Sequence, residues 1–429
     1  MTITRRGFLG VAALAGAAGA AGLSGCSSAL KQTSSPGSSG SGAAAKNGGT
    51  IKVGFVSPET GQLAVFTQSN GYVLGKVRDA LANGLTIGGT KYAVEIIAAD
   101  SQSSSARAAA VASQLVQQSQ VDFLIGTATP ETVIPVSAQA ESSGVPCLLT
   151  ICPWEQWYYT STGTANTFKY SYMYFLGTQE ETDLFATQWQ AVPGKHVVGG
   201  LWPDDVDGAG FQKYITAKSR ALGWQVVPSG GYTDGTTDYA SIIARFKAAG
   251  VDVLHAAPIP PDFITFWRQA HQNGFTPKIA SISKALLFPS AADALGSLVT
   301  NVMSPLWWSP QFPYSSSLDG MTASAFASGY PAGWTQPMGF NYAVFEIAVA
   351  ALKASGNPKS PSAVAAALGR LKGQAITGRY DFTAGPVPHV SQVPELLAQW
   401  RPSGSGYGLV VINDSLLPAV PAASSLKLL

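Results

Sequence analysis

The chain has 429 residues, too many for one ordinary core, so two lobes or domains are expected. Charged residues make up only 12 %, against 46 Gly and 27 Pro, a balance that suits a secreted, turn-rich α/β protein. The 26 Lys+Arg and 24 Asp+Glu leave a formal net charge of +2, and residues 1–25 hold two Arg and no acid, so the remainder is neutral and neither nucleic acid nor an anionic membrane is an expected partner.

The first element is an export signal. "TRRGFLG" precedes the apolar run "VAALAGAAGAAGL" and then "LSGC", which ends at Cys26. A charged start, a short apolar segment and small residues before a cut describe a signal peptide. Arg5 and Arg6 followed by Phe8 and Leu9 resemble a twin-arginine signal, and "LSGC" resembles the lipobox whose Cys takes a lipid. The apolar stretch is 17 residues of mostly Ala and Gly, below the roughly 20 strongly apolar residues a span needs. A twin-arginine-like signal over 1–25 and a lipidated Cys26 heading a Gly/Ser-rich tether over 26–49 are therefore expected. Such a tether spans on the order of 25–30 Å and cannot form a core. Cys147 and Cys152 would sit about 16 Å apart on an extended chain, too far for a disulfide. His196, His255, His271 and His389 show no metal-ligand spacing, and no cofactor is expected.

Beyond the tether, strands and helices alternate. "TIKVGFV" reads as a strand, 72–82 as a helix, "KYAVEIIAA" as a strand and 106–118 as an Ala-rich helix. "VDFLIG" is the third strand, "ETVIPVSAQAESSG" a short helix broken at Pro135, and "VPCLLTI" the fourth strand. A second series opens with the helix "TQEETDLFATQWQAV", for which Thr178 is the expected cap and Glu181 its reciprocal partner. Strands "KHVVGGLW", "GWQVVPSG", "VDVLHAA" and "KIASIS" alternate with helices over 208–222, 238–250 and 261–274. About 130 further residues include the strand-like "LVTNVMSPLWW", a helix over 340–354 and strands near "TGRYDF" and "GYGLVVIN". Near-continuous apolar strands alternating with helices imply parallel sheets covered on both faces.

Four stretches carry a family resemblance: "IKVGFVSPETGQLAVFTQSNG", "AADSQSSSARAAAVASQLV", "GGYTDGTTDYASIIARFKAAGVDVL" and "ITGRYDFTAGP". In order and spacing they resemble the type I extracytoplasmic solute-binding proteins of ABC importers, leucine/isoleucine/valine branch, over residues 50 to 415. The resemblance implies an α/β fold of two Rossmann-like lobes joined by a three-crossover hinge. It puts lobe 1 at 50–168 plus 300–385 and lobe 2 at 169–299 plus 386–429. It implies a protein outside the cell membrane that closes on a small ligand and delivers it to an ABC permease; a monomer is expected, anchored to the membrane by the lipid that the lipobox-like stretch puts on Cys26.

By the same resemblance, Phe66 falls where an aromatic ring covers the ligand, and Thr129 and Thr132 where hydroxyls or N–H groups meet its carboxylate. Cys152 and Trp154, in "TICPWEQWYY", fall where amino-acid receptors keep small and hydroxyl residues; Trp154 departs from that, having one indole donor. Pro260 stands where a tyrosine is usual and Ser283 near the place of a glutamate that holds an ammonium. Trp202 and Asp207 complete the candidates, with Asp207 able to replace the lost carboxylate. Trp157, Tyr158, Tyr159 and Trp307 fit cleft or core alike, Trp308 reads as packing, Asp204 and Asp205 as solvated loop acids, and Lys284 as a rim charge. An apolar or aromatic acid, amide or amino acid is the expected ligand.

Two other readings stand beside this one. The same clamshell serves a ligand sensor, and an exported hydrolase with dispersed catalytic residues belongs to a different class. "SISK" fits a Ser-x-x-Lys pattern, but "SALK" and "SSLK" fit it too, and the partner motifs Ser-Asp-Asn and Lys-Thr-Gly are absent. A binding protein without enzymatic activity is expected.

Overall fold

A computed structural model describes residues 46–429; the expected signal peptide, Cys26 and nearly all of the tether lie outside the described residues. The chain opens with β1 (Lys46–Ser57), α1 (Asn70–Leu81), β2 (Leu85–Ile87), β3 (Thr90–Asp100), α2 (Ser105–Gln117) and β4 (Phe123–Thr127). Then come α3 (Thr129–Ser143), β5 (Cys147–Thr150), α4 (Trp154–Tyr158), β6 (Ser171–Phe175) and α5 (Thr178–Trp189). The middle of the chain holds β7 (Val197–Leu201), α6 (Val206–Ala221), β8 (Gln225–Pro228), α7 (Ala240–Ala249), β9 (Val253–Ala256), α8 (Pro260–Gln272) and β10 (Ile279–Ile282). After α9 (Pro289–Leu295), β11 (Met303–Leu306), α10 (Ala323–Ser328), α11 (Gln336–Ala354) and α12 (Pro361–Leu368), the chain ends in strands. These are β12 (Lys372–Ala375), β13 (Gly378–Asp381), β14 (Val390–Gln392), β15 (Leu396–Ser403) and β16 (Gly406–Asn413).

Two seven-stranded sheets organise these elements, in the orders β14-β6-β5-β4-β1-β3-β2 and β16-β15-β11-β10-β9-β7-β8. Their central strands are parallel, while β2 and the β15–β16 pair run antiparallel at the edges. Every residue of β4, β5, β7, β9 and β10 is buried, as strands covered on both faces must be. Helix α11 is buried over most of its circumference and packs on α1, α12 and β5, which fits its apolar sequence. These are the two α/β lobes expected, with three crossings between them: after β6, after β11, and between β14 and β15.

The boundaries differ from those expected. Strands β6 and β14 belong to the first sheet, although the resemblance assigns residues 169–299 and 386–429 to lobe 2; β11 belongs to the second sheet, although it assigns 300–385 to lobe 1. Each crossing lies beyond its strand because a strand completes its ladder before the chain can leave the sheet. Lys46 and Asn47, expected in the tether, pair with Thr90 and Lys91 of β3, ahead of a register shift between Asn47 and Thr50. Backbone pairing needs no apolar side chain, so composition does not mark that end. Helix α3 runs through Pro135, where the sequence suggests a break. Its buried Val133, Val136 and Ala140 face outweighs the roughly 3 kcal/mol cost of an interior proline. Cys147 and Cys152 are free and buried.

Candidate functional site

A small enclosed cavity lies between the lobes, walled by residues that follow the carboxyl ends of strands in both sheets, the place where open α/β sheets bind ligands. Lobe 1 contributes Phe66 after β1, Thr129 after β4, Ile151 and Pro153 after β5, and Phe175 at the end of β6. The other wall has Glu181 on α5, Asp207 and Phe211 on α6, Ser283 and Lys284 after β10, and Trp307 after β11. The cavity encloses about 20 Å³, the scale of one water. Helix α6 packs against both α3 and α4, which brings the two lobes into contact beside it. Larger grooves of about 640 Å³ beside Tyr159 and Tyr214, and about 540 Å³ beside Trp154, lie outside this cavity.

Charge dominates the walls. The Lys284 ammonium donates to Asp207 Oδ2 at 2.9 Å and Asp205 Oδ2 at 3.2 Å, in a site where Lys284 is only 5 % exposed. Burial pulls its pKa down, but Asp205, Asp207 and Glu131 hold it well above the ordinary lysine value. Asp207 is pushed up to about 7 by burial, against the pull of Lys284 and with repulsion from Asp205 and Glu131. Glu181 is pushed up to about 8 by burial; the Ser283 hydroxyl opposes this, and Asp207 and Glu155 add to it. Thr129 Oγ1, Glu181 Oε1, Asp207 Oδ1 and Trp307 Nε1 are all buried without a hydrogen-bond partner in the protein, a costly state unless something else supplies one.

Behind Ser283 stands a fixed relay. Trp202 Nε1–H donates to His255 Nδ1 at 2.9 Å, and the other ring nitrogen lies 3.0 Å from Ser283 Oγ. An indole nitrogen only donates, so Nδ1 accepts and Nε2 carries the proton toward Ser283. Burial holds His255 neutral, its pKa pushed down to about 3. Ser283 therefore accepts from His255 and keeps its own proton for the cavity.

Of the nine expected ligand-binding residues, Phe66, Thr129, Asp207 and Ser283 line the cavity. The other five stand elsewhere. Thr132 pairs with Ser101 at 3.1 Å. Cys152 is fully buried between the lining residues Ile151 and Pro153 but is not itself a wall. Trp154 faces the outer groove, because α4 begins at that residue and turns its ring over Gly177. Trp202 folds back over Gly200, where a Cβ would collide with its ring, and is core. Pro260 is the buried first residue of α8. Trp157 stacks on Phe168 at 3.9 Å and donates to Ser137, so it too is core, as is Trp308.

Glu181, Phe175, Phe211 and Trp307 are not among the expected site residues, and Lys284 reads in the sequence as a rim charge. The sequence pattern makes Glu181 a capping residue of α5; instead Glu155 accepts from the Thr178 and Gln179 N–H groups at 2.8 and 3.0 Å. That leaves Glu181 free to turn inward. Asp205, expected as a solvated acid, caps α6 and pairs with Lys284, whereas Asp204 is exposed as expected. Among the described residues, no group of three or more His, Cys, Asp or Glu is arranged to hold a metal ion.

Comparison with known proteins agrees with this architecture. A family model described as periplasmic binding protein matches residues 50–401. An amino acid binding protein of Pseudomonas aeruginosa is 22 % identical over 232 residues, 54 % of this chain and 60 % of that protein, so the match spans less than two thirds of the length of that relative. The structure of a leucine binding protein from Thermotoga maritima superposes with a TM-score of 0.70 at 16 % identity, covering 85 % of this chain and 99 % of that one. An ABC transporter solute binding protein from Rhodopseudomonas palustris, solved with 4-hydroxybenzoate, gives a TM-score of 0.71 at 17 % identity over 85 % and 96 % of the two chains.

Proposed function

The chain belongs to the periplasmic binding protein family, and from that membership we propose that it is an extracytoplasmic receptor that closes on a small solute and delivers it to an ABC importer. The observation that carries this reading is the cavity between the lobes, four of whose lining residues each hold a buried polar atom with no hydrogen-bond partner in the protein. A solute touching both lobes stabilises the closed form by its differential affinity for that form, and the closed form is the one that docks on the permease. Export through the signal at residues 1–25, attachment through Cys26 and action as a monomer belong to the same proposal.

The rings of Phe66, Phe175 and Phe211 suit a solute with an apolar body. Among the acids, amides and amino acids that the sequence suggests, the two carboxylates of the cavity favour those that bring nitrogen donors. The test is a thermal-shift panel of amino acids, amides, aromatic acids and amines, with small-angle scattering to follow closure. A solute at a hundred times its Kd stabilises by about 2.7 kcal/mol and is expected to shrink the radius of gyration. A panel in which no solute shifts melting or compacts the protein would sink the receptor reading.

A further inference from the structure

Building on the receptor reading, we propose that the interlobe cavity, widened beyond the about 20 Å³ it encloses here, takes a small organic cation, a protonated amine or amidine without a carboxylate, held by Glu181 and Asp207 between Phe66, Phe175 and Phe211. Three independent features point the same way.

The first is the set of unmet hydrogen bonds. Glu181 Oε1 and Asp207 Oδ1 are unpaired and belong to residues that are 1 % and 3 % exposed. When ionised, carboxylate oxygens only accept, so a ligand satisfies both by bringing donors. Ser283 completes the arrangement, since the Trp202–His255 relay leaves its proton available for the Glu181 carboxylate.

The second is the balance of charge. Glu131, Glu181, Asp205 and Asp207 act on this site against Lys284 alone, and Lys284 is already engaged by both aspartates. Burial raises Glu181 to about 8 and Asp207 to about 7, so near neutral pH both stay partly protonated until an opposite charge beside them favours the ionised forms. A cation supplies the missing partner, and the faces of nearby aromatic rings attract it further.

The third is that α3 and α5 offer a carboxylate little at their N-termini. Helix N-termini bind anions through free N–H groups. At α3, which begins beside the cavity, the Thr129 N–H donates to Ile151 O at 2.8 Å, Pro130 has no N–H, and Glu131 places an acid in the first turn. At α5 the first N–H groups are taken by Glu155. An acid entering here would meet the carboxyl groups of Glu181 and Asp207, with Trp307 Nε1–H and the Thr129 hydroxyl as the unpaired donors set against them.

Titration calorimetry on the full chain tests the proposal with matched probes: isobutylamine, isobutyramide and isobutyrate; benzylamine and benzoate; acetamidine; and leucine. The expected result is binding by at least one amine or amidine, with the matched acids and leucine weaker by about tenfold or more. Glu181→Gln keeps the shape of the side chain and should weaken amine binding on the order of thirtyfold. If that variant fails to fold, the probe series on the unaltered chain is sufficient by itself. Tight binding of benzoate, isobutyrate or leucine in place of the amines would overturn this inference and leave the receptor reading standing. Silence from every probe would overturn the inference, while the receptor reading would then stand or fall on the wider panel.

Discussion

Glu181 and His255 show how single residues acquire roles that their sequence neighbours do not announce. Glu181 lies in the first turn of a helix whose pattern suggests a capping box, yet Glu155 from a separate helix takes the capping position. His255 lies in the apolar strand "VDVLHAA" and is entirely buried, neutral, and held between Trp202 and Ser283. Replacing His255 with Leu leaves the Trp202 N–H and the Ser283 hydroxyl without that partner. We expect a loss of about 2–3 kcal/mol in denaturant unfolding, and an unchanged midpoint would show that the relay contributes nothing to stability. Phe66, Thr129, Asp207 and Ser283, expected from the family resemblance, line the cavity. Glu181, Phe175 and Trp307 were not legible in the sequence, because a helix face and a strand end do not reveal which side meets the other lobe.

At the scale of elements, α6 carries the contact between the lobes. It packs on α3 and α4, and at Gly210 a Cβ would press against the side chain of Gln156 from α4. Gln156 in turn donates to Thr178 Oγ1 at 2.7 Å, at the first crossing between lobes. Gly210→Leu should therefore hold the lobes apart while improving the helix propensity of α6. Overpacking of this kind costs about 1–3 kcal/mol, which would fall on the closed state and weaken solute binding by about tenfold. Ligand-free melting should stay level or rise, and unaltered affinity would show that this face does not limit closure. Most helices and central strands were legible in the sequence because periodicity is a local property. The proline in α3 misled because the burial of Val133, Val136 and Ala140 comes from distant parts of the chain.

For the whole molecule, the buried acids link stability to pH. Glu181 and Asp207 titrate near about 8 and about 7 in the folded chain, against 4.5 and 3.8 ordinarily. Between about pH 4 and 8 the folded chain thus holds more protons than the unfolded chain, so stability falls as pH rises through that window. Glu155, Glu180 and Glu395, which face Glu181 or one another near the hinge, are also raised by burial and share this sign. His255 opposes it, since its pKa is pushed down from 6.5 to about 3, and its contribution is lost as pH falls below 6.5. The fall in stability is therefore clearest between about pH 6.5 and 8. Melting of the ligand-free chain should be lower at about pH 8 than at about pH 6.5, and Glu181→Gln should flatten the slope; a melting point that rises over this range contradicts the assignment.

The sequence by itself determined the α/β class, the order of most elements and the existence of two lobes, because apolar periodicity and strand–helix alternation are written locally. Only the tertiary structure decided where the crossings fall, that Trp154 and Trp202 turn away from the cavity, and that Glu181 and Lys284 turn into it. Those outcomes depend on which surfaces meet across hundreds of residues, and burial and charge pairing at such a junction have no local signature.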